Sequence, residues 1–321
     1  MVADRSAQAE HPGFVHQVCL YHSDDEFLAM AVPFIEDGLA GGEPVLAVTT
    51  SANLDLLRSD LGEAAHGIDY AETSYFGRRP AHRVAAFDRY WKRHTFSAGN
   101  VRILAEPVWT GRSEPEIRAW KQMEAGLNLV FADTRICMIC PYDSRILRPD
   151  IIADACRTHP ARVEGREQLP CVDYADPEIA ARSFGAELTA PPVDAAAMTF
   201  TGDMSELRAF VVGAAAAHGL TADHCALFAI AAAEAAGYLR RDGLKAAVAI
   251  WERPGAVVCN LHQPGGGRIN SLLGLRPPDL DEPRTGDGLW LTRQVSESVQ
   301  TQSDNGGRTI RLEMPTARAM V

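Results

Sequence analysis

From Gln17 to about Pro160 short apolar runs alternate with longer amphipathic ones, and that rhythm limits the folds open to the chain. The runs "HQVCLY" (16–21), "PVLAV" (44–48), "VRILAE" (101–106) and "ICMICPY" (136–142) read as strands. Helices are expected through about Leu39, near 51–61, near 80–95, near 114–131 and over 149–159. Strand-helix alternation of this kind predicts an α/β domain, a mainly parallel sheet covered by helices on both faces.

The rhythm weakens between about Pro160 and Pro192, where Pro, Arg and Glu become frequent, and a different order follows. From about Met198 the expectation is a strand, two long alanine-rich helices (203–218 and 221–241), and strands over 245–252 and 255–262 joined by a tight "RPG" turn. A Gly/Pro-rich loop (263–285), a helix over 287–299 and a strand near 308–313 complete it. This half is α+β with an antiparallel sheet. The division is set at residues 11–175, a linker 176–197, and 198–321.

With 321 residues and 46% hydrophobic content the chain can bury a large core. No run of about 18 uncharged apolar residues is present to span a bilayer, and the N-terminal MVADRSAQAE lacks the form of a signal peptide. A cytoplasmic protein with no membrane partner is expected. Seven cysteines scattered from Cys19 to Cys259 do not form a disulfide framework in a chain this large. A net charge of −11 opposes a general affinity for phosphate backbones, so no direct nucleic-acid partner is expected.

The two alanine-rich helices, the consecutive strands, the glycine-rich loop, "GDGLWLTRQV" (286–295) and "GGRTIRLEM" (306–314) resemble the GHKL-type (Bergerat) ATPase sandwich over residues 198–314. The resemblance is closest to anti-sigma-factor serine kinases of bacterial stress-response switches. In that family a Glu-x-x-x-Asn helix supplies a general base and a magnesium-holding amide one turn apart, beside the same γ-phosphate. The resemblance places Glu234 at the base, on a stripe with Leu227, Ile230 and Ala231 expected to face the sheet. Tyr238 stands where the asparagine belongs, and a neutral phenol is a poor ligand for a hard cation. The family's adenine-binding aspartate is missing from "NLHQPGGGRIN" (260–270). Gly265, Gly266 and Gly267 keep a nucleotide loop, Gly286 and Gly288 match the later Gly-x-Gly, and Thr309 matches the threonine beside adenine. A buried Glu234 tied to Arg240, Arg241 or a backbone group is the purely structural alternative.

A second resemblance covers residues 11–175. The blocks "HQVCLYHSDDEFLAMAVPFIEDGLAGGEPVLAV" (16–48), "GRRPAHRVAAF" (77–87), "EPVWTGRS" (106–113), "MEAGLNLVF" (123–131) and "CPYD" (140–143) are similar to the MEDS sensory domain, a relative of the RecA/KaiC-like parallel-sheet fold proposed to sense small hydrocarbon derivatives. RecA-like folds carry a phosphate-cradling loop after the first strand; "HSDDEFL" (22–28) stands there instead, and its adjacent carboxylates repel a triphosphate. Ligands of open α/β sheets bind at the carboxyl ends of the strands, where this reading places His16, Tyr21, Glu106, Trp109, Tyr142 and Asp143. Glu124 and Asn128, four apart on one helix, read as a hydrogen-bonding pair, and Cys137 and Cys140 of "CMIC" as buried small hydrophobes, so no metal site is assigned.

Together the resemblances imply a signalling regulator of the anti-sigma type. Its MEDS half would sense a small molecule or a partner, and its GHKL half, degenerate as a kinase, would bind a sigma factor or a STAS-type antagonist; a homodimer is compatible with this. The competing reading is an active protein-serine kinase using ATP and Mg²⁺, with Glu234 as base and an anti-anti-sigma factor as substrate.

Overall fold

The computed structural model describes residues 13–316 apart from 241, 242, 244, 266, 280 and 305. The N-terminal MVADRSAQAE, Arg241 and Gly266 therefore lie outside the described residues. Two compact units are present. One holds the chain up to Phe76 with Ala86–Arg112 and Leu127–Ala175; the other holds Gly77–Ala85, Ser113–Gly126 and the chain from Asp176.

The first unit is built on a seven-stranded sheet. In chain order the elements up to Pro170 are β1 (Val15–Tyr21), α1 (Asp24–Ala40), β2 (Val45–Thr49), α2 (Ser51–Leu61), β3 (Asp69–Glu72), α3 (Pro80–Ala98), β4 (Val101–Ala105), α4 (Glu114–Val130), β5 (Ile136–Asp143), α5 (Pro149–Thr158), β6 (Ala161–Glu164) and β7 (Glu167–Pro170), of which the start of α3 and most of α4 belong to the other unit. Sheet order is β3-β2-β4-β5-β1-β6-β7, parallel throughout except for the final β6–β7 hairpin. Residues 161–170, where the helix-strand rhythm fades, thus extend the sheet beyond β1 rather than leaving it. β1 and β5 are buried on both faces, as central parallel strands must be. Cys19, Tyr21 and Ile139 point into the core formed by Phe27, Ile35 and Leu57; His16, Val18, Met138, Cys140 and Tyr142 alternate with them and line the opposite face.

The acidic run after β1 has a local structural cause. Ser23 caps α1 by accepting from Glu26 N at 3.1 Å, and the Glu26 carboxylate returns to accept from His22 N at 2.7 Å, a capping box shifted by one residue. Asp24, Asp25 and Glu26 all sit in the first turn, where they complement the helix dipole.

The second unit contains α6 (Pro177–Ser183), β8 (Ala196–Phe200), α7 (Met204–Ala217), α8 (Ala222–Leu239), β9 (Ala246–Arg253), β10 (Ala256–Gln263), α9 (Asp287–Val295), β11 (Ser298–Asp304) and β12 (Gly307–Pro315). Its sheet is antiparallel in the order β11-β12-β10-β9-β8. Val257, Cys259 and Leu261 on β10 pair with Met314, Leu312 and Ile310 on β12, and this face meets Leu207, Val211, Phe228 and Ala232 of the helices in one core. Pro254 and Gly255 close the β9–β10 hairpin, with φ of +82° at the glycine, as a two-residue turn with Pro first and Gly second demands. Two expectations change. The last helix ends at Val295, because Ser296 is extended, and the polar alternation of 298–304 forms an edge strand instead. The segment 176–197, read as linker, contains α6 and the start of β8. Among the described residues no helix is long and apolar enough to cross a membrane.

Candidate ligand-binding site

Strands β2, β4 and β1 end at the same edge of the sheet, with β5 between β4 and β1, and side chains at those carboxyl ends are tied to one buried carboxylate. Glu106, just past β4, accepts from the Tyr21 hydroxyl at 2.9 Å through Oε1 and from Asn53 Nδ2 at 2.9 Å through Oε2; the Thr49 hydroxyl also donates to Oε2. Asn53 Nδ2 further reaches the Tyr21 oxygen at 3.1 Å. All four residues are buried. Burial, and then the Glu106 charge, push the Tyr21 phenol well above its ordinary range, so it remains a donor. The arrangement clamps three strand ends with charge-assisted hydrogen bonds.

A second group lies on the opposite face. Leu20 pairs with Tyr142 and Tyr21 with Asp143, and paired residues share a face, so Tyr142 points away from Tyr21. The Tyr142 ring lies 5.9 Å from the Trp109 ring and meets His159 edge-on at 5.9 Å. Trp109 is buried, yet its indole N–H has no hydrogen-bond partner among the described residues. A buried orphan donor is costly, and an acceptor supplied from outside the chain would relieve it.

His16 is not at a carboxyl end: it is the second residue of β1, five positions before Tyr21, and so belongs to the opposite end and face. Its ring stacks on Phe14 at 5.2 Å and on His159 at 4.0 Å. Its Nδ1 meets Asn128 Oδ1 at 3.1 Å, and Cys140 Sγ lies 3.5 Å from its Nε2. Burial, reinforced by His159, holds the His16 imidazole well below its usual pKa, and burial brings His159 down to about 4, so both rings are neutral. Asp143 is spoken for at the surface: Arg145 donates to its two carboxylate oxygens at 2.8 Å each, and that contact lowers its pKa. The six residues read as one sensory set therefore divide into a strand-end clamp, an aromatic pair, a histidine cluster and a surface ion pair. His159 escaped the reading because a lone His past a helix carries no local pattern, whereas Cys140 was read only as a buried small hydrophobe of the CMIC strand.

In the second unit Glu234 is half-buried on α8, and its stripe differs from the expectation: Leu227 and Ile230 are exposed, while Phe228, Ala231, Ala232 and Ala235 take the core. No hydrogen bond or ion pair among the described residues engages the Glu234 carboxylate. Arg240, its expected tether, donates instead to the Gly202 carbonyl at 3.2 Å. Gly288 packs against this carboxylate so closely that a Cβ there would lie 2.0 Å from Oε2. Gly286 is the left-handed cap of α9 at φ +96°, and Asp287 occupies the first turn, putting a negative charge where a phosphate would bind. Tyr238 lies beneath the Arg308 guanidinium, 5.8 Å from ring centroid to Cζ. Arg308 is itself held by Gln263 Oε1 at 2.7 Å and the Leu239 carbonyl at 3.0 Å. Arg308 thus covers the tyrosine that the GHKL resemblance sets in place of the magnesium-holding amide. Thr309 meets His262 Nδ1 across the β10–β12 ladder at 3.0 Å. Gly265, at φ +74°, and Gly267 lie in the segment after β10, Gly267 with open space around its α-carbon.

Residues 15–160 match the family model of MEDS, the methanogen/methylotroph, DcmR sensory domain, which supports the resemblance of the first half. No curated protein matches the chain.

Proposed function

We propose that the chain is a bacterial signalling regulator whose MEDS half binds a small molecule and whose other half is a GHKL-like scaffold that grips a protein. The observation that carries the sensory role is the buried Trp109 indole N–H, whose ring neighbours Tyr142 and which has no acceptor among the described residues. Such a donor in apolar aromatic surroundings suits a small hydrocarbon derivative with one oxygen or halogen acceptor. Binding would act by population shift, favouring whichever conformation offers the better fit.

For the second half, the reading as a protein-binding scaffold rests on Tyr238 under Arg308, on Asp287 at the α9 N-terminus, and on exposed Leu227, Ile230 and Leu291. A sigma factor or a STAS-type antagonist is the partner class the GHKL resemblance implies. One observation favours the competing kinase reading: among the described residues no hydrogen bond or ion pair engages the Glu234 carboxylate.

The sensory reading is tested by calorimetric titration of the full chain with short alcohols, aldehydes and haloalkanes, comparing wild type with Trp109→Phe. A member of this panel should bind, with about tenfold loss in the variant, the worth of one hydrogen bond. Binding of equal strength in the variant, or no binding by any panel member, would overturn the assignment.

A further inference from the structure

Cys140, His16 and His159 are brought together from β5, β1 and the residue after α5, and all three are buried. Their Sγ and ring nitrogens lie within 4.8 Å of one another. Hydrogen bonding fixes which nitrogens face the cluster. The His159 Nδ1 approaches the Ala155 carbonyl at 2.8 Å; a carbonyl only accepts, so Nδ1 carries the proton and Nε2 the lone pair. The same reasoning runs one step longer for His16. Asn128 Nδ2 donates to the Thr158 carbonyl at 2.8 Å, which turns its Oδ1 toward His16 and makes the His16 Nδ1 the donor. Both imidazoles are therefore held in the tautomer that bares Nε2, by N–H bonds to carbonyl oxygens. This is the outer-shell arrangement of metal-ligating histidines.

The spacing agrees. A tetrahedral zinc with Zn–S of about 2.3 Å and Zn–N of about 2.0 Å sets an S···N edge of roughly 3.6 Å. Cys140 Sγ and His16 Nε2 are 3.5 Å apart.

We infer that His16, His159 and Cys140 form a binding site for a borderline divalent transition-metal ion of the zinc class. The donor set is two neutral imidazoles and one thiolate, which selects zinc, cobalt(II) or a related ion over magnesium or calcium. On binding, the Cys140 S–H bond breaks, its proton leaves to solvent and the sulfur lone pair forms the S–metal bond; no electrons are transferred. The inference is independent of the ligand proposed at Trp109.

The test uses the full chain, stripped with chelator and titrated with cobalt(II) and then zinc(II). Expected are one equivalent of metal per chain at micromolar protein, a thiolate-to-cobalt charge-transfer band in the near ultraviolet, and displacement of that band by zinc. Cys140→Ser should lose the band, and Cys137→Ser, on the other face of β5, should keep it. Asn128→Ala, which frees the His16 ring, should bind cobalt about 10- to 100-fold more weakly. Should Cys140→Ser not fold, by its circular dichroism, the wild-type titration and Asn128→Ala decide. Failure of wild type to take up either metal, a cobalt spectrum without the thiolate band, survival of the band in Cys140→Ser, or unchanged affinity in Asn128→Ala would each overturn the site.

Discussion

Glu106 shows how much one side chain can organise. Its carboxylate takes hydrogen bonds from Tyr21, Asn53 and Thr49, so it joins the ends of three strands. Truncating it leaves those donors buried without their acceptor. Glu106→Ala should therefore destabilise the first unit by about 3 kcal/mol in urea unfolding, and Tyr21→Phe by only about 1 kcal/mol, because one bond is lost and the carboxylate keeps its others. Equal effects from the two variants would show that Glu106 is not the hub. The sequence singled out Tyr21 and Glu106 because both fall at strand ends, where ligands of such sheets bind. It did not show that they satisfy one another. The odd spacing of five between His16 and Tyr21 sets them on opposite faces of one strand, but which residues of β5 share each face follows from the register between β1 and β5, a long-range property. Asn53 and Thr49 sit inside or beside helix α2 with no pattern of their own and become visible only in three dimensions.

At the scale of elements the helices and the longer strands were legible, because their apolar spacing reports burial directly: α1, α2, α5, α7 and α8 lie within a residue or two of their expected positions. The short edge elements were not. β3, β6 and β7 are four residues each, β3 mostly half-buried and β6 and β7 mostly exposed, and β11 is polar apart from Val299, so none carries an apolar alternation long enough to show a period. The α8–α9 packing yields a prediction of its own. Gly288 lies against the Glu234 carboxylate. A Cβ at 288 meets the far end of the half-buried Glu234 side chain, which can turn aside, so Gly288→Ala should cost less than about 1 kcal/mol in urea unfolding. A loss of several kcal/mol would show that the carboxylate is locked in place.

On the scale of the whole molecule the two units differ in chemical equipment. The first gathers a carboxylate hub, an orphan indole donor and a histidine-cysteine cluster in its interior. The second is an antiparallel sheet covered by helices, with Asp287 in the first turn of α9 and the Arg308 guanidinium over Tyr238. The proposed division is small-molecule chemistry in the first half and protein contact in the second. The most direct test is the melting temperature of the full chain during titration with Mg-ATP. A ligand at about a hundred times its Kd stabilises the native state by about 2.7 kcal/mol, a shift of several degrees. The account predicts a melting temperature that does not rise beyond that of a control holding magnesium and inorganic phosphate; a saturable rise would contradict it.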